Sequence, residues 1–242
     1  MVYYSQTGAT KAGADELQKQ LGCDIVAIEA VEPYDCDYPS TIARWRSEVE
    51  NGVKVGINPI EINFDKYNTI FLGFPIWGGN YASPVATFLE DNSLAGKKVV
   101  TFATFGSGGI DGATKNVAAA QPEAEVVQGY GVRNARVAKA PAEIVRFLVE
   151  NGYKDGEVEA MPAYSESKPV TDKETAIFNE ACGSYQFPLG TPVEVASRKT
   201  PAGMDYKFAV ESQTPDGQKA ASTIYVTVED GSAPEFTEVV RH

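Results

Sequence analysis

Residues 68–74 read Asn68-Thr69-Ile70-Phe71-Leu72-Gly73-Phe74, apolar almost from end to end. Successive side chains of a strand point to opposite faces, so a strand with no polar face must be covered on both. That excludes a sheet with one wet side and asks for helices above and below. Val2-Tyr3-Tyr4, Ile25-Val26-Ala27-Ile28, residues 98–104 and Glu125-Val126-Val127 are further strand-like runs. Helix-like segments alternate with them over residues 11–21, from Ser40 or Thr41 to about Glu50, and over 83–89, 111–120 and 141–151. Gly22, Asn51-Gly52 and Gly152 stand where helices end, and Ser83-Pro84 where one begins. Strand and helix alternating five times give an α/β fold, a parallel sheet with right-handed crossovers.

Ligands of such sheets bind outside the carboxyl ends of the strands. Three loops fall there, at residues 5–10, 75–81 and 104–109. The first, Ser5-Gln6-Thr7-Gly8-Ala9-Thr10, passes from strand into helix. Its hydroxyls can donate to phosphate oxygens, and the first free N–H groups of the helix point to the same place. A plain helix cap uses the same residue types, since Ser and Thr are preferred there for capping alone. The second loop, Pro75-Ile76-Trp77-Gly78-Gly79-Asn80-Tyr81, sets an indole beside two glycines. The third, Thr104-Phe105-Gly106-Ser107-Gly108-Gly109, sets a phenyl ring among glycines. Trp77 and Phe105 each have two readings, wall of a pocket or filler of the core. A planar heterocycle with a phosphate tail suits the three loops together.

These stretches resemble the flavodoxin family: S-Q-T-G-A-T is similar to its phosphate loop, and L-G-F-P-I-W-G-G and T-F-G-S-G-G to its two isoalloxazine loops. The resemblance covers residues 1 to about 153. It implies a doubly wound five-stranded parallel sheet of order 2-1-3-4-5, with FMN as cofactor. By the same resemblance Ser5, Gln6, Thr7, Gly8, Ala9 and Thr10 would hold the phosphate. Pro75, Ile76, Trp77, Gly78 and Gly79 would line the ring, with Trp77 against it and the backbone of Gly78 or Gly79 at its reducible part. Thr104, Phe105, Gly106, Ser107, Gly108 and Gly109 would border the other edge. Related members often carry a second aromatic after the tryptophan; this chain has Gly79, with Tyr81 or Phe105 as substitutes. The implied activity is electron transfer or oxidoreduction in which the flavin reacts, so no catalytic side chain is assigned. Two alternatives stand beside it. One is an NAD(P)H-dependent quinone-type reductase on the same fold, for which no nicotinamide-nucleotide fingerprint is visible. The other is a flavin-free binding protein whose C-terminal module recognises a partner.

Composition narrows the partners. The chain has 33 acidic and 21 basic residues, a net charge of −12, which argues against nucleic acid or an anionic membrane surface. A basic redox partner protein fits, although acidity also serves solubility alone. His242 is the only histidine, which excludes a His-based triad and any multi-histidine metal site. Cys23, Cys36 and Cys182 are odd in number and form no C-x-x-C, so reduced thiols are expected. Asp35 and Asp37 flank Cys36 without further ligands, and no metal is assigned. No run of 18 apolar residues occurs and no signal-peptide pattern opens the sequence, so neither a membrane span nor a signal peptide is expected. Cytoplasmic location is the default expectation. Only four residues stand before the first turn, short for a central strand; a segment trimmed upstream would open the alternative of an exported or lipid-anchored protein.

Beyond residue 153 the texture changes. Residues 154–170 form a polar linker with two prolines, and past Thr171 the alternation stops. Thr171 and Glu174 make a capping box for a helix carrying Ala176, Ile177, Phe178 and Ala181, ended by Gly183. Four alternating strands follow, marked by Val193 and Val195, by Tyr206, Phe208 and Val210, by Ile224, Val226 and Val228, and by residues 236–240. Thr214-Pro215-Asp216-Gly217 supplies a hairpin turn. Residues 171–242 thus read as a small α+β domain, one helix with an antiparallel sheet, which weakly resembles the cystatin fold. Of that family's Q-x-V-x-G loop only Gly203 is matched within Lys199-Thr200-Pro201-Ala202-Gly203, so protease inhibition is not implied. The module reads as a packing or partner-recognition unit.

Overall fold

The computed structural model describes residues 1–35, 37–214 and 217–242. Cys36, in the Asp35-Cys36-Asp37 loop, and Pro215 and Asp216, in the expected hairpin turn, lie outside the described residues. The chain forms two compact units. One comprises Met1–Gly106 with Ile110–Glu157, the other Val158–His242 with Ser107–Gly109.

The first unit runs β1 (Val2–Tyr3), α1 (Ala9–Leu21), β2 (Val26–Ala27), α2 (Tyr38–Glu50), β3 (Thr69–Trp77), β4 (Asn80–Tyr81), α3 (Ser83–Asp91), β5 (Lys98–Phe105), α4 (Asp111–Ala120), β6 (Glu125–Arg133) and α5 (Ala140–Glu150). Its sheet has the order β2-β1-β3-β5-β6, with β4 paired antiparallel to the end of β3. The five main strands are parallel. This is the order 2-1-3-4-5 that the family resemblance implies.

The apolar runs explain why helices cover both faces. On one side Ile70, Leu72 and Phe74 of β3 join Val2, Tyr4, Val99 and Ala103, under Val85 and Phe88 of α3 and Val117 of α4. On the other, Phe71 joins Met1, Tyr3, Val100 and Phe102, under Leu17 of α1 and Ile144 and Leu148 of α5. Neighbouring strand residues thus feed alternate cores. Each fully buried Leu, Val or Phe contributes roughly 1.5–3 kcal/mol.

In this unit α2 and β6 differ from the expectation in their extent. Helix α2 begins at Tyr38 rather than at Ser40 or Thr41. The Asp37 carboxylate accepts the Ser40 N–H at 2.8 Å, and Pro39 sits in the first turn, where its fixed φ suits the helix. Strand β6 runs on past Val127 to Arg133. Gln128 and Gly129 interrupt the apolar pattern, yet Gly129 lies so close to β5 that a Cβ there would meet the Thr101 carbonyl at 2.2 Å. Tyr130 and Val132 then return to the core.

The second unit holds β7 (Lys168–Pro169), α6 (Asp172–Cys182), β8 (Thr191–Thr200), β9 (Gly203–Gln213), β10 (Lys219–Glu229) and β11 (Glu235–Arg241). Its antiparallel sheet is a five-stranded meander, β11-β10-β9-β8-β7. Helix α6 buries Phe178 and Ala181 against Val195, Phe208, Val210, Ile224, Val226, Phe236 and Val239. The added strand, β7, falls in the segment read as linker: Lys168 pairs with Val195 and Pro169 with Glu194. Ser107 belongs to this unit, its carbonyl accepting the Val239 N–H at 2.9 Å and its hydroxyl oxygen accepting from Tyr185 at 2.6 Å.

Candidate functional site

The first loop leaves the sheet after Tyr4, whose N–H still bonds the Gly73 carbonyl at 2.9 Å. Gly8 takes φ 91° and ψ −12°, the left-handed conformation an L side chain resists, and hands the chain to α1. The Ala12 N–H closes the first turn onto the Gly8 carbonyl at 2.9 Å, and the Ser5 hydroxyl oxygen accepts the Lys11 N–H at 3.1 Å. Among the described residues no acceptor meets the N–H groups of Thr7, Gly8, Ala9 or Thr10. Thr7 and Gly8 are exposed. Unpaired donors at the positive end of a 13-residue helix make a cradle for an anion.

The side chains of this loop divide their work. Thr7 is open to solvent, whereas Thr10 is 1% exposed and its hydroxyl meets that of Thr104 at 2.8 Å. Gln6 turns sideways: its Nε2 donates to Thr41 Oγ1 at 2.6 Å and also to the Asp35 carbonyl.

Register brings the other loops alongside. Gly73 of β3 is paired with Tyr3, and Pro75 with Thr104 of β5. Beyond Pro75 and Ile76, both half-buried, Trp77 pairs with Asn80 across a two-residue turn of Gly78 and Gly79. Both glycines have positive φ, 55° and 84°, as a tight hairpin of this hand demands. Both are exposed. The Trp77 ring is 5% exposed and packs edge-on to Tyr4 at 5.9 Å and tilted against Tyr34 at 4.8 Å. Tyr81 is half-buried against Phe74 at 6.0 Å.

A cluster absent from the sequence reading supports this end. The Tyr34 hydroxyl donates to Glu48 Oε2 at 2.7 Å, Arg44 Nε donates to Glu48 Oε1 at 2.8 Å, and the Arg44 guanidinium lies 3.9 Å over the Tyr34 ring. Arg44 also holds the carbonyls of Pro33 and Glu32. Burial, then the Glu48 carboxylate, pushes the Tyr34 phenol well above its usual range, and burial does the same for Tyr4. Both remain neutral, and Tyr34 keeps the proton it donates to Glu48. The i,i+4 spacing of Arg44 and Glu48 is legible in the sequence; their tie to Tyr34 is not.

The third loop divides. Thr104 and Phe105 are buried, Phe105 lying against Gly131, and the exposed Gly106 presents its carbonyl to Arg133 Nε at 2.7 Å. Ser107, Gly108 and Gly109 belong to the second unit. The first unit therefore gathers residues 5–10, 75–79 and 104–106 at the carboxyl ends of β1, β3 and β5.

A doubly wound sheet with an amide-lined helix start after β1, next to the central strand β3, beside a glycine turn and an aromatic cluster, defines an α/β protein of the class whose ligands bind at the carboxyl ends of the strands. The chain belongs to the flavodoxin family, whose model, described as flavodoxin, matches residues 1–147. Among solved structures, a protein assigned as a flavoprotein from Bacteroides eggerthii is 27% identical, with a TM-score of 0.51 over 61% of this chain and 96% of its own. One similarly assigned from Bacteroides uniformis is 24% identical, with a TM-score of 0.50 over 60% and 95%. A Lactobacillus acidophilus flavoprotein solved in complex with FMN is 21% identical, with a TM-score of 0.47 over 57% and 94%. No curated protein matches the chain.

Proposed function

We propose that the first unit binds FMN and serves as an electron carrier for a basic partner protein. The observation that carries this reading is the set of unpaired N–H groups on Thr7, Gly8, Ala9 and Thr10 at the start of α1. A phosphate monoester suits them: the helix dipole favours its charge, residues 5–10 contain no carboxylate, and a Cβ at Gly8 would meet nothing within 4 Å. Gly79 and Gly106 likewise leave open space, room for a flat ring beside the loop. Within the family, FMN supplies one- and two-electron chemistry when bound. The chain's own part is to hold and shield. Amides fix the tail, the Trp77, Tyr4 and Tyr34 rings make an apolar floor, and the Gly78-Gly79 backbone stays accessible. A net charge of −12 makes an added negative charge costlier and steers a cationic partner toward the protein.

Titration of the apoprotein with FMN and with riboflavin, followed by the flavin's visible absorption, tests the reading. FMN is expected to bind more tightly than riboflavin because only it carries the phosphate. Failure to bind either refutes it. Reduced, FMN-loaded protein should pass electrons to a basic acceptor such as cytochrome c at a rate that falls with salt. Sustained NAD(P)H oxidation with a quinone would instead mark a reductase.

A further inference from the structure

Trp45 is the first of the chain's two tryptophans and lies on α2, outside every loop that the sequence singles out. Its ring is half-buried and rests against Gly78: a Cβ built on that glycine would stand 1.9 Å from Cη2 and 2.4 Å from Cζ3 of the indole. One turn earlier on the same helix, Thr41 receives the Gln6 side chain at 2.6 Å. Residues four apart share a helix face. One face of α2 therefore touches the first loop through Thr41 and the second through Trp45. Trp77 offers no comparable surface, since Tyr4 and Tyr34 close it off to 5% exposure. The position after Trp77 holds Gly78, and the next Gly79, so no aromatic side chain can come from the turn itself.

We infer that Trp45 is the aromatic wall of the flavin ring site, supplied by α2 where the glycine turn supplies none, and that Trp77 is the floor beneath it. This rests on the FMN reading above. An indole face brings apolar area and an electron-rich surface to an electron-poor heterocycle, while the small glycine turn lets α2 come close enough to present it. The anion cradle and the wall then act on different parts of the ligand. The wall sees only the ring.

That separation gives the test. In wild-type protein FMN and riboflavin should both bind. Trp45→Ala is expected to weaken both by the same factor, about tenfold or more, as loss of one stacked aromatic does. Trp45→Phe should bind within about threefold of wild type, since a ring remains. An indole in contact with a flavin quenches its emission by donating an electron to the excited state, and a phenyl ring does not. Flavin bound to Trp45→Phe should therefore emit more brightly than flavin bound to Trp77→Phe. Unchanged affinity for both flavins in Trp45→Ala, or a brighter Trp77→Phe than Trp45→Phe, overturns the assignment while leaving FMN binding intact. If wild type takes up neither flavin, the FMN reading fails and the wall with it. Should the alanine variant not fold, the relative emission of the two phenylalanine variants decides.

Discussion

The hydroxyl oxygens of Thr10 and Thr104 meet at 2.8 Å, 1% and 3% exposed, and pin the first turn of α1 to the end of β5. Each was expected among ligand-contacting residues, but each is turned toward the other. Thr104→Val keeps the shape and strands the Thr10 hydroxyl in a dry place, at an expected cost of about 1–3 kcal/mol. Replacing both threonines with valine should recover much of that, because no unpaired group remains. Both tryptophans lie in the first unit, so urea unfolding followed by their fluorescence reads the comparison. Additive losses in the double variant would show that the two hydroxyls do not act as a pair.

Gly8 holds φ 91° with open space around its α-carbon. Gly8→Ala therefore meets no neighbour, and its cost is backbone strain alone, about 1–2 kcal/mol. Gly8→Asn should cost less, since Asn enters the left-handed region more readily. The strain is relieved only by moving the peptides that carry the Gly8 and Ala9 N–H groups. FMN affinity should fall while riboflavin affinity holds, and isothermal titration with the two ligands measures the ratio. A proportional loss of both would place the effect outside the phosphate cradle.

What the chain revealed in advance follows from the range of each signal. The continuous apolar run of β3 is local and dictates a doubly covered strand; the two cores that share its side chains bear this out. The loops at strand ends were legible because strand order places them together. Strand β7 was not, since two residues that pair only through their backbones leave no alternation to read. The second half of β6 was hidden by Gln128 and Gly129, whose presence reflects close approach to β5. Helix α2 was legible as a helix, but what its face touches was not, for a different reason. Thr41, Trp45 and Glu48 share one face but form no apolar stripe, and their partners Gln6, Gly78 and Tyr34 lie 14 to 35 positions away. Periodicity identifies a face, not what it meets.

Glu48 is 8% exposed and holds Tyr34 and Arg44 at once. Glu48→Gln can satisfy the phenol through its amide oxygen, but it turns an NH2 toward the Arg44 guanidinium, donor against donor. A loss of about 1–3 kcal/mol in stability is expected, as for breaking a charged hydrogen bond in a partly buried pair. Since Tyr34 packs on Trp77 at 4.8 Å, the near-ultraviolet circular dichroism of the aromatic cluster should weaken as well. A full-strength aromatic signal at reduced stability would show that Glu48 does not fix the Tyr34 ring.

Glu174 closes the capping box of α6, accepting the Thr171 N–H at 3.0 Å and the Thr171 hydroxyl on one oxygen and the Lys168 ammonium at 2.8 Å on the other. Lys168 first, then Thr171, pulls its carboxyl down to about 2 from 4.5. A carboxyl whose folded value is depressed stabilises fully above its unfolded value and loses that contribution as pH falls through the folded one. The cap should therefore act in full above pH 4.5 and fade between about pH 4.5 and 2. Glu174→Gln cannot titrate, so α6 should fray more at neutral pH in the variant than in wild type. The gap should narrow steadily across that window. Hydrogen exchange of the first-turn amides of α6, compared between the two proteins at each pH, measures the gap; one that stays constant down to pH 2 would show that the Glu174 carboxylate does not carry the cap.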